Sequence, residues 1–257
     1  MMHGSKSLWW VVFFSVLFFT CSKKEGNDTT IPPPPGDSTF INPVINGSDP
    51  WVIKKDSFYY YTHTLGNRIA VWRTKAMSKV ASSSRSEVYT PGAQGSHSAN
   101  IWAPEIHFLQ GKWYVYYTAG AGPDSTQRLW VLENANADPM QGTWEDKGRI
   151  YNNDSDFWAI DATVLNYNGD VYLLWSGRPN ASVQTQNIYI SRMSDPLTLS
   201  GPTIMISTPE FSWERYGEVN EAPQVIQDPP RPLYPSTLHD CHSPSRSSAV
   251  YRATLAL

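Results

Sequence analysis

The 257-residue chain is poor in the groups that organise cross-linked, metal-centred or electrostatically driven proteins. It has two cysteines, Cys21 and Cys241, so a disulfide framework is not expected. His63 and His107 stand apart without ligand spacing, and no metal site is assigned to them. Charged residues make up 17% of the chain and leave a net charge of −3. So near a balance gives no electrostatic reason for a nucleic-acid partner. No stretch sustains a helical period, and the apolar run from Leu8 to Phe19 is too short to persist as a bilayer-spanning anchor. What the chain holds in excess is aromatic: 11 Trp and 14 Tyr, rings that fill β cores or stack on the apolar faces of sugars.

A unit recurs three times and begins a fourth. Its starts are Asp49-Pro50-Trp51-Val52, Ala103-Pro104-Glu105-Ile106, Asp161-Ala162-Thr163-Val164 and Glu221-Ala222-Pro223-Gln224, which lie 54, 58 and 60 residues apart. Each complete start leads through a polar turn (Lys54-Lys55-Asp56-Ser57, Gln110-Gly111-Lys112, Asn168-Gly169-Asp170) into an aromatic-rich strand. Strands are predicted over Val52 to Thr62 and Ile69 to Thr74 in the first unit. In the second they fall at Ile106 to Leu109, Trp113 to Ala119, Leu129 to Glu133 and Trp144 to Asp146. In the third they fall at Val164 to Tyr167, Val171 to Ser176, Ile188 to Arg192 and Thr203 to Ile206. Matched Asp-Pro turns, Asp138-Pro139 and Asp195-Pro196, precede the last strand of the second and third units. Units of this length built from short strands are the signature of propeller blades, so the fold class is all-β.

The two ends read differently. Lys6, the apolar run and Cys21 resemble a bacterial lipoprotein signal over residues 1–21, in which Cys21 becomes the lipidated first residue; a plain cleaved secretory signal is the alternative. Both readings send the protein out of the cytoplasm, to a lipid-anchored place in the bacterial envelope or into the medium. Residues 22–39, with Pro32 to Pro35, form an extended linker. The blade pattern covers residues 40–226. From Gln227 to Leu257 the chain turns Pro- and Ser-rich, and Asp228-Pro229-Pro230-Arg231-Pro232 interrupts what should be a central strand. This tail is expected to be foreign to the fold, through a frameshift or a truncated gene.

Acids at equivalent starts of successive blades converge on the propeller axis. Asp49 and Glu221 would then face one another across a shallow pocket. Two carboxylates flanking a glycosidic bond, one a proton donor and one a base or nucleophile, are the minimum for sugar hydrolysis. Asp161 would raise the pKa of a nearby Glu by like-charge proximity and help orient it.

Together, Ser48-Asp49-Pro50, Asn100-Ile101-Trp102-Ala103-Pro104-Glu105, Ile160-Asp161-Ala162-Thr163 and Val219-Asn220-Glu221-Ala222-Pro223 resemble glycoside hydrolase family 43. The resemblance implies a five-bladed β-propeller, of which about three blades and the start of a fourth are present. It also implies inverting action on arabinose- or xylose-containing polysaccharides. On that resemblance Asp49 is the general base, Glu221 the general acid and Asp161 the modulator, and Trp102 walls the sugar subsite with Glu105 in support. Trp51, Phe157 and Trp158 flank the aspartates as sugar contacts or core, and Arg178 is a hydroxyl-binding or a solvated loop residue. No cofactor is required; members of the family can hold a structural Ca²⁺, for which no ligands are identified here. The leading expectation is an α-L-arabinofuranosidase. The alternatives are a β-xylosidase, a carbohydrate-binding propeller without turnover, and the inactive product of a broken gene.

Overall fold

The computed structural model describes residue 40 and residues 42–225. The leader with Cys21, the linker and the tail lie outside the described residues. Three antiparallel sheets follow one another along the chain. The first is β1 (Ser48–Lys55), β2 (Phe58–Thr64), β3 (Ile69–Thr74) and β4 (Ser84–Tyr89). The second is β5 (Ala99–Leu109), β6 (Lys112–Gly120), β7 (Arg128–Asn134) and β8 (Glu145–Arg149). The third orders β9 (Trp158–Tyr167), β10 (Asp170–Arg178) and β11 (Asn187–Asp195). Both β12 (Thr198–Leu199) and β13 (Ile204–Ser207) pair along the outer edge of β11. The sheets are successive blades of a β-propeller, and a parallel bridge between Gln186 and Val219 leads the chain toward a fourth.

The strands fall close to where the sequence put them, with several differences: β5 and β9 begin at Ala99 and Trp158, ahead of the predicted Ile106 and Val164, and β12 was not predicted. The run from Val52 to Thr62 is two strands that turn at Asp56-Ser57. β4 was not anticipated, because Ser84-Arg85-Ser86-Glu87 at the rim of its blade faces solvent and carries no apolar pattern. β8 begins at Glu145 and runs on to Arg149. The Asp-Pro turns are equivalent in atomic detail: Asp138 Oδ1 accepts from Met140 N–H at 3.0 Å, and Asp195 Oδ1 from Leu197 N–H at 2.8 Å.

Each sheet is buried on both faces, which explains the continuous aromatic runs in place of strict alternation. On β6, Trp113, Val115 and Tyr117 join the core shared with the first blade, while Tyr114 and Tyr116 join the core shared with the third. Adjacent Tyr60 and Tyr61 likewise enter different clusters.

The first strand of every blade bulges at the same place. Two residues oppose one at Asp49-Pro50 against His63, Ala103-Pro104 against Tyr117, and Asp161-Ala162 against Trp175. Asp49, Ala103, Asp161 and Ala222 have φ of 54°, 41°, 58° and 50°, in the left-handed region. In three of the four the next residue is proline, which has no N–H for the interrupted ladder to orphan. Asp is among the residues that tolerate this conformation; Ala is not, and Ala103 and Ala222 are held there by their surroundings.

A hydroxyl fifteen residues after each start ties one blade to the next. Thr64 Oγ1 accepts from Ala103 N–H at 2.7 Å, Thr118 Oγ1 accepts from Asp161 N–H at 3.1 Å, and Ser176 Oγ donates to the Asn220 carbonyl at 2.8 Å. These bonds fix the height of each bulge relative to its neighbour. Thr118 is fully buried, so Thr118→Val keeps its shape but strands the Asp161 N–H. The variant is expected to lose about 1–3 kcal/mol of stability in urea unfolding, while Thr118→Ser loses less than half of that. Equal losses for the two would contradict the role of the hydroxyl.

Candidate active site

Three carboxylates, Asp49, Glu105 and Asp161, meet at one cavity beside the bulges, and the charge of Glu221 acts on Asp161 from nearby. Asp49 Oδ2 accepts from Thr64 Oγ1 at 2.5 Å, so the same hydroxyl anchors an acid of the first blade and the main chain of the second. Asp161 donates its N–H to Thr118 and accepts the Ala222 N–H on Oδ2 at 3.0 Å, which links the second, third and fourth units through one residue. Glu105 lies one turn of the pleat beyond its own bulge and is bonded to His107 Nε2 at 3.0 Å. Asp49, Trp51, Glu105, Asp161 and Pro223 line a shared cavity of about 140 Å³.

The electrostatics single out Asp161. Burial is the largest influence on its carboxyl and pushes it up to about 7, with the charges of Glu221, Asp49 and Glu105 adding to the shift and the Ala222 N–H opposing it. Burial also raises Glu105, against a lowering by His107. The carboxyl held near neutrality is thus that of the aspartate expected to act on its neighbour.

The fourth unit is shifted by one residue from its sequence alignment. Its left-handed bulge residue is Ala222, the counterpart of Asp49, Ala103 and Asp161, and Glu221 is the residue before. The acid therefore does not occupy the start position; Ala222-Pro223 matches Ala103-Pro104, and the acidic side chain was mistaken for the mark of register. Asn220, just before, is buried and held on three sides: its N–H donates to the Gln186 carbonyl at 3.1 Å, its carbonyl accepts from Ser176, and its amide donates to Ser207 Oγ at 3.0 Å.

The expected sugar-contact residues separate into two groups. Trp51 lines the carboxylate cavity, its ring 4.9 Å from that of His107 and its Nε1 bonded to the Ile106 carbonyl at 2.8 Å. Trp102 is half-buried beside the Ala103 bulge. Phe157, Trp158 and Arg178 instead line a second cavity of about 340 Å³ with Asp124 and Arg128. There the Arg178 guanidinium lies 4.0 Å from the Trp158 ring centroid and donates to Asp124 Oδ2 at 3.3 Å. Gly177 makes room for this packing, since a Cβ there would come within 2.6 Å of the Phe157 ring. Among the described residues no group of three or more His, Cys, Asp or Glu is arranged to hold a metal ion. Sequence reasoning missed Thr64, Thr118, Ser176 and Gln186. For the three hydroxyls a signal existed, the constant offset of fifteen from 49, 103 and 161.

Successive blades whose inner bulges gather carboxylates around one cavity define a propeller with an acidic axial site. Residues 40–229 match the model for glycosyl hydrolases family 43, and the chain belongs to that family. It is 40% identical over 195 residues to an extracellular exo-α-(1→5)-L-arabinofuranosidase of Streptomyces avermitilis, covering 74% of this chain and 40% of that one. It is 36% identical over 192 residues to an enzyme of the same description from Streptomyces chartreusis, covering 72% and 58%. The chain thus spans about half the length of these relatives. Among solved structures, an α-L-arabinofuranosidase from Lactobacillus brevis superposes with a TM-score of 0.68 at 32% identity, over 73% of this chain and 62% of that one. A thermostable family-43 glycoside hydrolase shares the fold, with a TM-score of 0.53 at 24% identity over 68% of this chain and 58% of that one.

The raised Asp161 carboxyl has a consequence for stability. Folded Asp161 keeps its proton up to about pH 7, whereas an unfolded aspartate releases it at about 4. Between these values the folded state binds the extra proton, so stability falls as pH rises through the window. In Asp161→Asn that fall is absent. The unfolding free energy of the variant relative to wild type should therefore grow from about pH 4 to pH 7 and then level off. A difference that is the same at both ends of the window would contradict the assignment.

Proposed function

We propose that the protein is an exported, lipid-anchored glycosidase that removes terminal α-L-arabinofuranosyl residues from plant polysaccharides with inversion. The observation that carries this reading is the gathering of Asp49 and Asp161, from the first and third units, around one cavity, with Glu221 of the fourth unit next to cavity-lining Ala222 and acting by its charge on Asp161. The arabinofuranosidases named among the relatives support the sugar, and the word extracellular in two of those names supports export. Lipid anchoring rests on the context of Cys21 alone.

In this reading Asp49, with Oδ2 held by Thr64, uses its other oxygen to take a proton from water. The water oxygen bonds to the anomeric carbon as the glycosidic C–O bond breaks, and the bond pair passes to the leaving oxygen, which takes the proton of Glu221. Base and acid then stand about 6.5–9.5 Å apart with water between base and sugar, the spacing of inverting glycosidases. Asp161 holds the fourth unit in place through the Ala222 N–H, which fixes Glu221, the residue before, relative to the third unit. Trp51 offers the sugar an apolar face. The sequence of steps uses side chains and water only, with no cofactor.

Asp49→Asn and Glu221→Gln are each expected to lower kcat on α-1,5-linked arabinobiose by about 10²–10⁴-fold, measured as released arabinose, with melting temperatures close to wild type. The wild type should also cleave nitrophenyl α-L-arabinofuranoside with a higher kcat/KM than nitrophenyl β-D-xyloside. Variants as active as wild type would overturn the roles, and a preference for the xyloside would overturn the sugar. Binding of arabino-oligosaccharide without turnover would favour a carbohydrate-binding propeller.

A further inference from the structure

The second cavity reaches the carboxylates through a single buried side chain. Gln186 is 4% exposed and precedes β11. Its main chain is clamped to the segment before Glu221: the Gln186 N–H donates to the Glu218 carbonyl at 2.9 Å and the Asn220 N–H to the Gln186 carbonyl at 3.1 Å. Its side-chain amide lies between a carboxylate and a guanidinium, and these neighbours fix its orientation. A guanidinium only donates and a carboxylate only accepts, so the amide oxygen faces Arg178 and the amide nitrogen faces Glu221. In that orientation the oxygen accepts from Arg178 Nη2 at 3.1 Å and the nitrogen donates to Glu221 Oε2 at 3.2 Å. Arg178 is fixed in turn by Asp124 and by the Trp158 ring, whose own Nε1 donates to the Asp124 carbonyl at 2.9 Å.

We propose that Gln186 is a positioning residue for proton donation, which selects the oxygen of Glu221 that carries the proton. The inference rests on the reading of Glu221 as general acid. An amide N–H directed at Oε2 occupies that oxygen as an acceptor, and a proton placed there would meet the amide hydrogen head-on. The N–H bond is stronger to an unprotonated oxygen, so it biases the acidic proton to Oε1. When the glycosidic C–O bond breaks and its electron pair goes to the leaving oxygen, the proton passes to that oxygen from Oε1, and Oε2 keeps its bond to Gln186 as the carboxylate forms. An amide suits this task because it does not titrate and so keeps its donor through the cycle. Arg178, expected from sequence as a hydroxyl-binding or solvated residue, holds the amide oxygen so that the amide cannot turn over.

Proton donation matters for a poor leaving group and little for one that departs as a stable anion, which separates this role from a structural one. In the full chain, Gln186→Leu removes the donor and Gln186→Met removes it while keeping the length of the side chain. Both are expected to reduce the ratio of kcat on α-1,5-arabinobiose to kcat on 2,4-dinitrophenyl α-L-arabinofuranoside by about 10-fold or more, with KM on arabinobiose within about two-fold. Equal losses on the two substrates, a change in KM alone, or wild-type ratios would overturn the proposal. Glu221→Gln is the reference: if it leaves the ratio unchanged, the assignment of the acid fails, whatever Gln186 does. A second readout does not depend on turnover. The side-chain amide ¹⁵N–¹H resonances of Gln186 should follow the titration of Glu221 in the wild type and lose that response in Glu221→Gln. An amide whose pH response is the same in both would contradict the link even in a protein with no measurable activity.

Discussion

The hydrogen bond from one blade's second strand to the next blade's bulge is the contact on which the rest of this structure depends. The apolar faces between blades supply most of the attraction, but such packing is non-directional and does little to stop one sheet sliding along its neighbour. Thr64, Thr118 and Ser176 add direction: each sits fifteen residues after its own blade start and bonds to the beginning of the following unit. A side chain set at one bulge then stands at a defined height relative to those set at the others. Without that register the carboxylates would still be on the inner strands, but not around one cavity.

The bulges and the hydroxyls act together. Turning the backbone into the left-handed region at Asp49 and Asp161 swings each acid out of the strand's alternation and toward the cavity. The interrupted ladder leaves polar main-chain groups, and they are met in two ways. Proline at 50, 104 and 223 removes a donor, while Thr64 and Thr118 accept the N–H groups of Ala103 and Asp161. At the fourth unit the acceptor for the Ala222 N–H is the Asp161 carboxylate itself. Asp161, whose carboxyl burial pushes up, is thus also the clasp between the third and fourth units, so its chemistry and its place in the fold cannot be altered separately.

Much of this was legible in the sequence. The recurrence of starts, turns and aromatic strands revealed blades because each sheet is buried on both faces, and burial is written in Trp113, Tyr116 and Trp175. Asp49 and Asp161 were found because each stands at the start of a repeated unit, the place where the folded chain bulges. The outer strands were less visible: β4 at the rim is polar and its pairing is main-chain only. Glu221 was found as an acid but set one residue out of register, since the signal for position is the Ala-Pro pair and not the charge. Phe157 and Trp158 were grouped with Asp161 by proximity in sequence, yet three or four residues along the chain is far enough to place them, with Arg178, at a different cavity. Gln186 could not have been singled out, because its importance lies in two partners that only the folded chain brings to it.

The proposed function sets one requirement on these parts: an acid and a base on different blades, spaced so that water enters between base and sugar. Inversion is the stereochemical result of that spacing, and closer carboxylates would give retention through a covalent intermediate. The most direct measurement is ¹H NMR of the first arabinofuranose released from α-1,5-arabinobiose, recorded before the anomers equilibrate. The account predicts the β anomer as the initial product. Initial release of the α anomer would contradict it.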